Sequence, residues 1–285
     1  MPPRFTWAET LQPQLLKSPW WIGHIPFAFE LVGRLRPRVV VELGTYSGSS
    51  FAAFCQALEA AGVEGRCYGI DLWEGDIHMG KFDDSLFREI SQYVEEHHPR
   101  TAELVREDFN RAVHRFADAS VDLLHIDGTH TYEAVSNDFR TWLAKVSSRG
   151  VVVFHDVNVN AENTGPSAAK FGVRRFFDEV KVRYPHCEFA HCWGLGVLVV
   201  GKDAPAEVLE LVRLSREPLG ADYFTRKGAA VSKRFDAMGV ALPQHSPYGQ
   251  EGASSSLSAS RPQRTWRERL RSASSRLFGS RTPSP

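Results

Sequence analysis

The stretch Arg38–Ser50, RVVVELGTYSGSS, decides the fold. Val39 to Leu43 is a short apolar run, the pattern of a strand covered on both faces. Gly44 and Gly48 frame a turn, and a helix is expected from about Ser49 to Ala60. A strand that ends in Glu-Leu-Gly and turns into a helix offers a nucleotide-like ligand three things. Its glycines let backbone come close. Its helix start presents free N–H groups. Glu42 adds a carboxylate for a cation or a hydroxyl.

Working outward, the same alternation repeats. A helix is expected over Ile25–Leu35, with Pro26 in its first turn and Pro37 beyond its end. Short apolar strands follow at Cys67–Ile70, Ala102–Val105, Val121–Ile126 and Val151–Phe154. Helices separate them at about 83–97, 110–116 and 132–146, and another spans 172–183. Two last strands, near 187–191 and 196–200, read as a hairpin. Helices are expected at 206–216 and near 229–238. Regular strand–helix alternation means a parallel sheet with helices on both faces. Acids recur at strand ends: Glu42, Asp71, Asp127 and Asp156. Ligands of open α/β sheets bind at that edge.

Composition sets limits. The 285 residues are 42% hydrophobic and 24% charged, ordinary for a globular protein. Lys plus Arg and Asp plus Glu both number 34, which argues against a specific nucleic-acid binder. The four cysteines make no secreted-domain framework, the N-terminus lacks a signal-peptide core, and no run of apolar residues is long enough to span a membrane. A cytoplasmic setting is expected. Residues 1–23 read as a Trp-rich lead-in or cap, and 243–285 as a disordered tail. From Arg261 that tail holds seven Arg and one Glu, with Trp266, Leu270, Ala273 and Leu277 at helical spacing. It reads as solvated chain, with peripheral contact at the inner membrane face as the second reading. Homo-oligomerisation is left open.

Two further stretches, HIDGTHTYEAVSNDF (residues 125–139) and GVVVFHD (150–156), stand in fixed order behind the first. With VELGTYSGSS they resemble class I S-adenosylmethionine-dependent methyltransferases. The likeness covers about residues 24–200 of a domain placed at 24–242. The first motif resembles the catechol-type O-methyltransferases. The later two resemble a bacterial branch with macrocin-type sugar O-methyltransferases and cephalosporin-hydroxylase-like proteins. The resemblance implies a Rossmann-like, doubly wound, seven-stranded, mostly parallel sheet with a terminal antiparallel hairpin.

It also implies roles. Gly44, Gly48 and the turn approach the methionine part of S-adenosylmethionine, and Glu42 holds its ammonium end or orders the loop. Tyr46 and Ser50 match positions on the methionine portion. Asp71 matches a ribose-binding acid, and Asp108 and Phe109 an adenine contact. Asp127 and Asp156 close neighbouring strands, so a divalent cation between them would relieve their repulsion. Mg²⁺ suits best. With His155 completing the set in place of the branch's acid, Mn²⁺ or Fe²⁺ is also accommodated. Val157 stands where catechol-type enzymes carry an Asn ligand. His130, three residues after Asp127, matches the family's general-base position; capping the next helix and metal ligation are its other readings. His125 reads as structural, as do His186-Cys187 and His191-Cys192, whose alternation along a strand keeps them from converging.

The expected activity is O-methylation of a sugar hydroxyl in a glycan or glycosylated metabolite. Phenolic acceptors and a non-catalytic, cofactor-binding scaffold of a membrane-associated glycan assembly complex are the alternatives. A nicotinamide-dependent oxidoreductase is weaker, because Tyr46 stands where that fingerprint needs its second glycine.

Overall fold

The computed structural model describes residues 5–240; the tail expected from 243 lies outside them. In chain order the elements begin with α1 (Thr6–Thr10), α2 (Ile25–Leu35), β1 (Val39–Leu43), α3 (Ser49–Ala60) and β2 (Arg66–Asp71). A small ribbon, β3 (Gly75–Asp76) and β4 (Gly80–Lys81), then precedes α4 (Asp84–His97) and β5 (Ala102–Arg106). The chain continues through α5 (Phe109–Ala112), β6 (Val121–Ile126), α6 (Tyr132–Leu143), β7 (Val146–His155) and α7 (Ala161–Thr164). It ends in α8 (Val173–Lys181), β8 (His186–Phe189), β9 (Leu195–Val199), α9 (Ala206–Arg216) and α10 (Pro218–Ala237).

Seven strands form one sheet in the order β5-β2-β1-β6-β7-β9-β8. Neighbours are parallel from β5 to β7. Strand β9 runs antiparallel to both β7 and β8, so the terminal hairpin closes the sheet with its second strand inside. This is the α/β, Rossmann-like architecture the sequence implies. The strand order reverses between β1 and β6, and the crevice outside that reversal is where such sheets bind ligands.

The period of two along each strand divides the core. Val40 and Leu123 join the layer formed with α2, α3, α9 and α10. Val41, Leu43 and Leu124 join the layer under α6 and α8, which includes Phe139, Trp142, Phe176 and Phe177. Glu42 shares the parity of Val40 and sits opposite His125 in register. Both therefore enter the first layer, where each is fully buried.

Several boundaries differ from the sequence reading. Helix α10 starts eleven residues earlier than the expected 229, because Pro218 can open a helix at its first position. Residues 72–82, between the strand expected at 67–70 and the helix expected from 83, contain the β3–β4 ribbon, whose two-residue strands are too short for any period to register. The lead-in contains α1, and the loop after β7 contains α7, capped by the Asn160 side chain. Among the described residues no helix is long and apolar enough to cross a membrane.

Candidate active site

A cavity of about 510 Å³ opens at the C-terminal ends of β1, β2, β6 and β7. Its walls come from the β1–α3 turn, the β3–β4 ribbon, the start of α5, the face of α6 and the lead-in residues Ser18, Trp20 and Trp21.

The turn after β1 is built by three constraints. Gly44 holds φ at +91°, and a Cβ there would lie 2.1 Å from the Asp127 carbonyl oxygen. Its first task is thus to let β1 and β6 end side by side, with Asp127 N–H donating to Leu43 O at 2.8 Å. Gly48 adopts φ +81° ahead of α3 and packs against Ile90, and it does not line the cavity. Asp71 ties the turn to the next strand. Its carboxylate accepts Tyr46 N–H at 2.9 Å and Trp73 N–H at 2.8 Å. Trp73 Nε1 in turn donates to Tyr46 O at 2.9 Å. Burial raises the Asp71 pKa against the pull of these backbone donors. Asp71→Asn replaces one accepting oxygen with a donor that faces an N–H. S-adenosylhomocysteine affinity, read by titration calorimetry, is expected to fall about ten- to a hundredfold.

Tyr46 faces the cavity between Trp20, stacked at 6.0 Å, and Phe82 at 5.4 Å. Burial pushes its hydroxyl pKa up to about 12, so the ring enters as a neutral wall. Ser49 Oγ accepts the backbone N–H of both Lys17 and Ser18, which fastens the lead-in to the start of α3. Asp108 caps α5 by accepting Asn110 N–H at 2.9 Å, and with Phe109 it lines the cavity. Ser50 lines it too.

Glu42 does not. It is sealed beneath the cavity, with Oε1 2.8 Å from His125 Nδ1. The expected contact with the cofactor's ammonium end is therefore corrected: Glu42 orders the strands under the turn. The cross-strand register, invisible in one sequence, decides this.

Where β6 and β7 end, four side chains converge. His130 Nε2 lies 2.8 Å from Asp156 Oδ2 and 3.4 Å from Asp127 Oδ1. His155 Nδ1 lies 3.2 Å from Asp127 Oδ1 and 3.3 Å from Asp156 Oδ1. Asp156 adopts φ +62°, the left-handed region, which places its carboxylate back toward the cluster. Burial works against charging His130, but Asp156 and Asp127 outweigh it and hold the pKa at about 10. The same balance sets His155 at about 9. Burial disfavours the Asp127 carboxylate too, and the two imidazoles more than offset it, leaving its pKa well below the usual range.

Among the described residues, the His, Cys, Asp and Glu groups close enough to share a metal are Asp127, His130 and Asp156, their ligand atoms all within 4.8 Å. The sequence reading placed His155 in that set instead. His155 lines the cavity too, but its Nε2 is committed to Cys192 O at 2.9 Å while Nδ1 faces the two acids. Thr131, not His130, caps α6, accepting Ala134 N–H at 3.2 Å. The side chains of His186, Cys187, His191 and Cys192 do not line the cavity, although the Cys192 carbonyl holds His155. His191 bonds Gly23 O and His186 bonds Tyr184 O.

Among the other side chains at the site, Phe171 and Asp138 escaped the sequence reading, whereas His78 and Met79 belong to the loop 73–81, read there as flanking the site. Phe171 stacks on His130 at 5.1 Å, and His78 meets the same ring edge-on at 5.3 Å. Met79 and Asp76 bring the ribbon over the cavity. Asp138 lines it from α6 at 5% exposure. The last had a signal. It sits within the apolar stripe Val135, Phe139, Trp142, where a carboxylate is out of place.

Residues 41–157 match a family model described as a methyltransferase domain. The match runs from β1 to just past the end of β7 and takes in the glycine turn, a little under half of the chain. Uncharacterized protein y4gI of Sinorhizobium fredii is 37% identical over 224 residues, 77% of this chain and 24% of that protein. The chain thus spans about a quarter of the length of this relative. Among solved structures, the O-methyltransferase TomG of Streptomyces achromogenes, involved in tomaymycin synthesis and bound to S-adenosylmethionine, is 20% identical with a TM-score of 0.47, covering 69% of this chain and 96% of that one. A Bacillus cereus O-methyltransferase in complex with S-adenosylhomocysteine is 16% identical with a TM-score of 0.45, covering 67% and 85%. No residue role passes from these structures to this chain.

Proposed function

We propose that the chain is an S-adenosylmethionine-dependent O-methyltransferase acting on a sugar hydroxyl of a glycan or glycosylated metabolite, with a divalent cation at the acceptor end. The observation that carries this reading is one cavity with two chemically distinct ends. The β1–α3 turn, Asp71 and Asp108 lie at one, and Asp127, His130 and His155 at the other, with Asp156 buried beside them. The sugar preference rests on the motif resemblance.

Methyl transfer is an in-line displacement, so the protein's task is to align donor and acceptor and to take the acceptor's proton. The Gly44–Tyr46 turn and Asp71 fix the donor. Trp20, Tyr46 and Phe82 exclude water and offer apolar faces to the ring of a sugar. His130 takes the hydroxyl proton. Asp156 faces its Nε2 and orients the ring, and Nδ1 has no partner among the described residues. As the new C–O bond forms, the donor's C–S bond breaks and its sulfonium becomes a neutral thioether.

Asp127 and Asp156 fit a hard divalent cation, with two facing carboxylates of neighbouring strands and an imidazole in reach. Such an ion lowers the pKa of a coordinated hydroxyl. Transfer of labelled methyl from S-adenosylmethionine to neutral glycan fractions tests the reading. Activity is expected to fall at least about tenfold after exhaustive chelation and to return with Mg²⁺. Tight S-adenosylhomocysteine binding with no transfer to any fraction would leave the scaffold alternative standing.

A further inference from the structure

The cavity has a corner that the reaction above does not use. It lies where Gly128, the start of α5 and the middle of α6 meet. Gly128 touches the Phe109 ring, and a Cβ on Gly128 would stand 3.6 Å from Asp138 Oδ2. Asp138 lines the cavity although its surface is 5% exposed. Asn137 supplies its side-chain hydrogen bond, and the Asn137 amide also donates to Asn110 Oδ1 at 2.8 Å. Among the described residues no Lys or Arg lines the cavity. A carboxyl group this buried, facing a cavity and without a cation, is unfavourable as an anion. As a neutral acid it carries an O–H donor. It then needs an acceptor from whatever fills the corner.

The ligand placed there by the reading above, on which this inference rests, is the adenine of the methyl donor. Adenine presents one exocyclic amine, a donor, and ring nitrogens, which accept. Two carboxyl groups suit that edge only when they differ. One accepts from the amine, and the other donates to a ring nitrogen. We propose that Asp138 is a donor-binding residue that gives its carboxyl O–H to an adenine ring nitrogen, while Asp108 accepts from the exocyclic amine.

Burial, first, and the nearby Asp108 push the Asp138 pKa up to about 7, against the Asn137 hydrogen bond. The neutral acid is thus available in the ordinary pH range. Other titratable groups share that side of the molecule. Asp108 comes from the start of α5, Glu133 from α6 itself, and Asp127 and His130 from beyond β6. Helix α8 meets α6 through Tyr132, which bonds Glu179 and lies beneath Arg175.

Titration calorimetry of the full chain with S-adenosylhomocysteine separates Asp138 from these neighbours. Wild-type affinity is expected to weaken about eightfold between about pH 6.5 and about pH 8, as the binding-competent acid is depleted. Asp138→Asn keeps an N–H donor and cannot ionise. It is expected to match wild type at the lower pH and to stay level across the range. Asp138→Ala is expected to bind about tenfold more weakly at the lower pH. Analogues in which one ring nitrogen of the adenine is replaced by C–H identify the contact: wild type discriminates against one of them, and Asp138→Ala does not. A wild-type affinity that is flat with pH, an Asp138→Asn chain as weak as the alanine variant, or an Asp138→Ala chain as tight as wild type would each overturn the proposal. Wild-type chain that binds no S-adenosylhomocysteine at either pH would sink the methyl-donor reading itself, a separate result.

Discussion

His130→Ala is expected to lower kcat about a hundredfold to ten-thousandfold, the range for loss of a general base. S-adenosylhomocysteine affinity is expected to change by less than about twofold, because the proposed donor anchors are the β1–α3 turn, Asp71, Asp108 and Asp138. The split is what identifies the role. A residue that held the donor would move affinity, and a residue that held the metal would move the Mg²⁺ requirement. Asp156→Asn supplies the contrast, weakening Mg²⁺ activation as well as kcat. The protonation state completes the argument. Asp156 and Asp127 hold the His130 pKa at about 10, so the ring holds two protons at neutral pH. A cation held by those carboxylates would lower that value, so the proposed role as a base would depend on an occupied site. Stability carries the same signature. His130 and His155 have raised folded pKa values, about 10 and about 9. Their stabilising contribution is complete below the ordinary histidine value and is lost as pH rises through 9 and 10. A melting series in chelator is expected to show wild type losing stability over that window. The His130→Ala series should be flatter. Equal kcat for the two chains would end the base assignment.

What the sequence could reveal about this site follows from what is local. The strand ends are local: apolar runs stop, and Glu42, Asp71, Asp127 and Asp156 follow within a residue or two. Their convergence is then a consequence of parallel strands sharing one edge. Register is not local. Glu42 is taken from the cofactor by His125, eighty-three positions along the chain, because β1 and β6 align those two residues on one face. His155 and His130 exchange places for a similar reason. His155 ends β7 and turns its Nε2 to Cys192, the residue that leads back toward β9. His130 lies beyond β6 in a loop free to bring its ring over both acids. Strand parity says nothing about such a loop. The β3–β4 ribbon and the α7 region were legible only as loops beside the site. Their contributions, Met79, His78 and Phe171, depend on tertiary contacts that no pattern of period two or 3.6 encodes.

The largest stability loss is expected from a residue that touches neither substrate nor cofactor. His125→Leu is expected to destabilise the chain by about 3–5 kcal/mol, the cost of leaving one member of a buried polar pair unpartnered. The donors fix the arrangement. Trp21 Nε1–H can only donate, and it reaches His125 Nε2 at 3.1 Å. Nε2 is therefore the acceptor, and Nδ1 carries the proton that goes to Glu42 Oε1 at 2.8 Å. A leucine of similar bulk fills the space but strands both ends, an indole N–H and a carboxyl group in the apolar layer under α3. Glu42→Gln tests the electrostatic half. Its amide oxygen still accepts from His125, so the expected cost is about 1 kcal/mol or less. Burial raises the Glu42 pKa against the pull of His125 and Ser50. A raised carboxyl pKa means the folded chain keeps a proton that the unfolded chain has released. The contribution is complete below the ordinary glutamate value and is lost as pH rises through the folded one. Glu42→Gln removes that loss, so its stability relative to wild type is expected to improve with rising pH, as urea melts at several pH values would show. The chain Trp21–His125–Glu42 also joins the lead-in to the first strand. His125→Leu should therefore loosen the cavity wall at Trp20 and Trp21, and donor affinity should fall together with the melting temperature. A His125→Leu chain as stable as wild type would mean that Glu42 is buried as a neutral acid needing no partner, and the role assigned to this pair would fail.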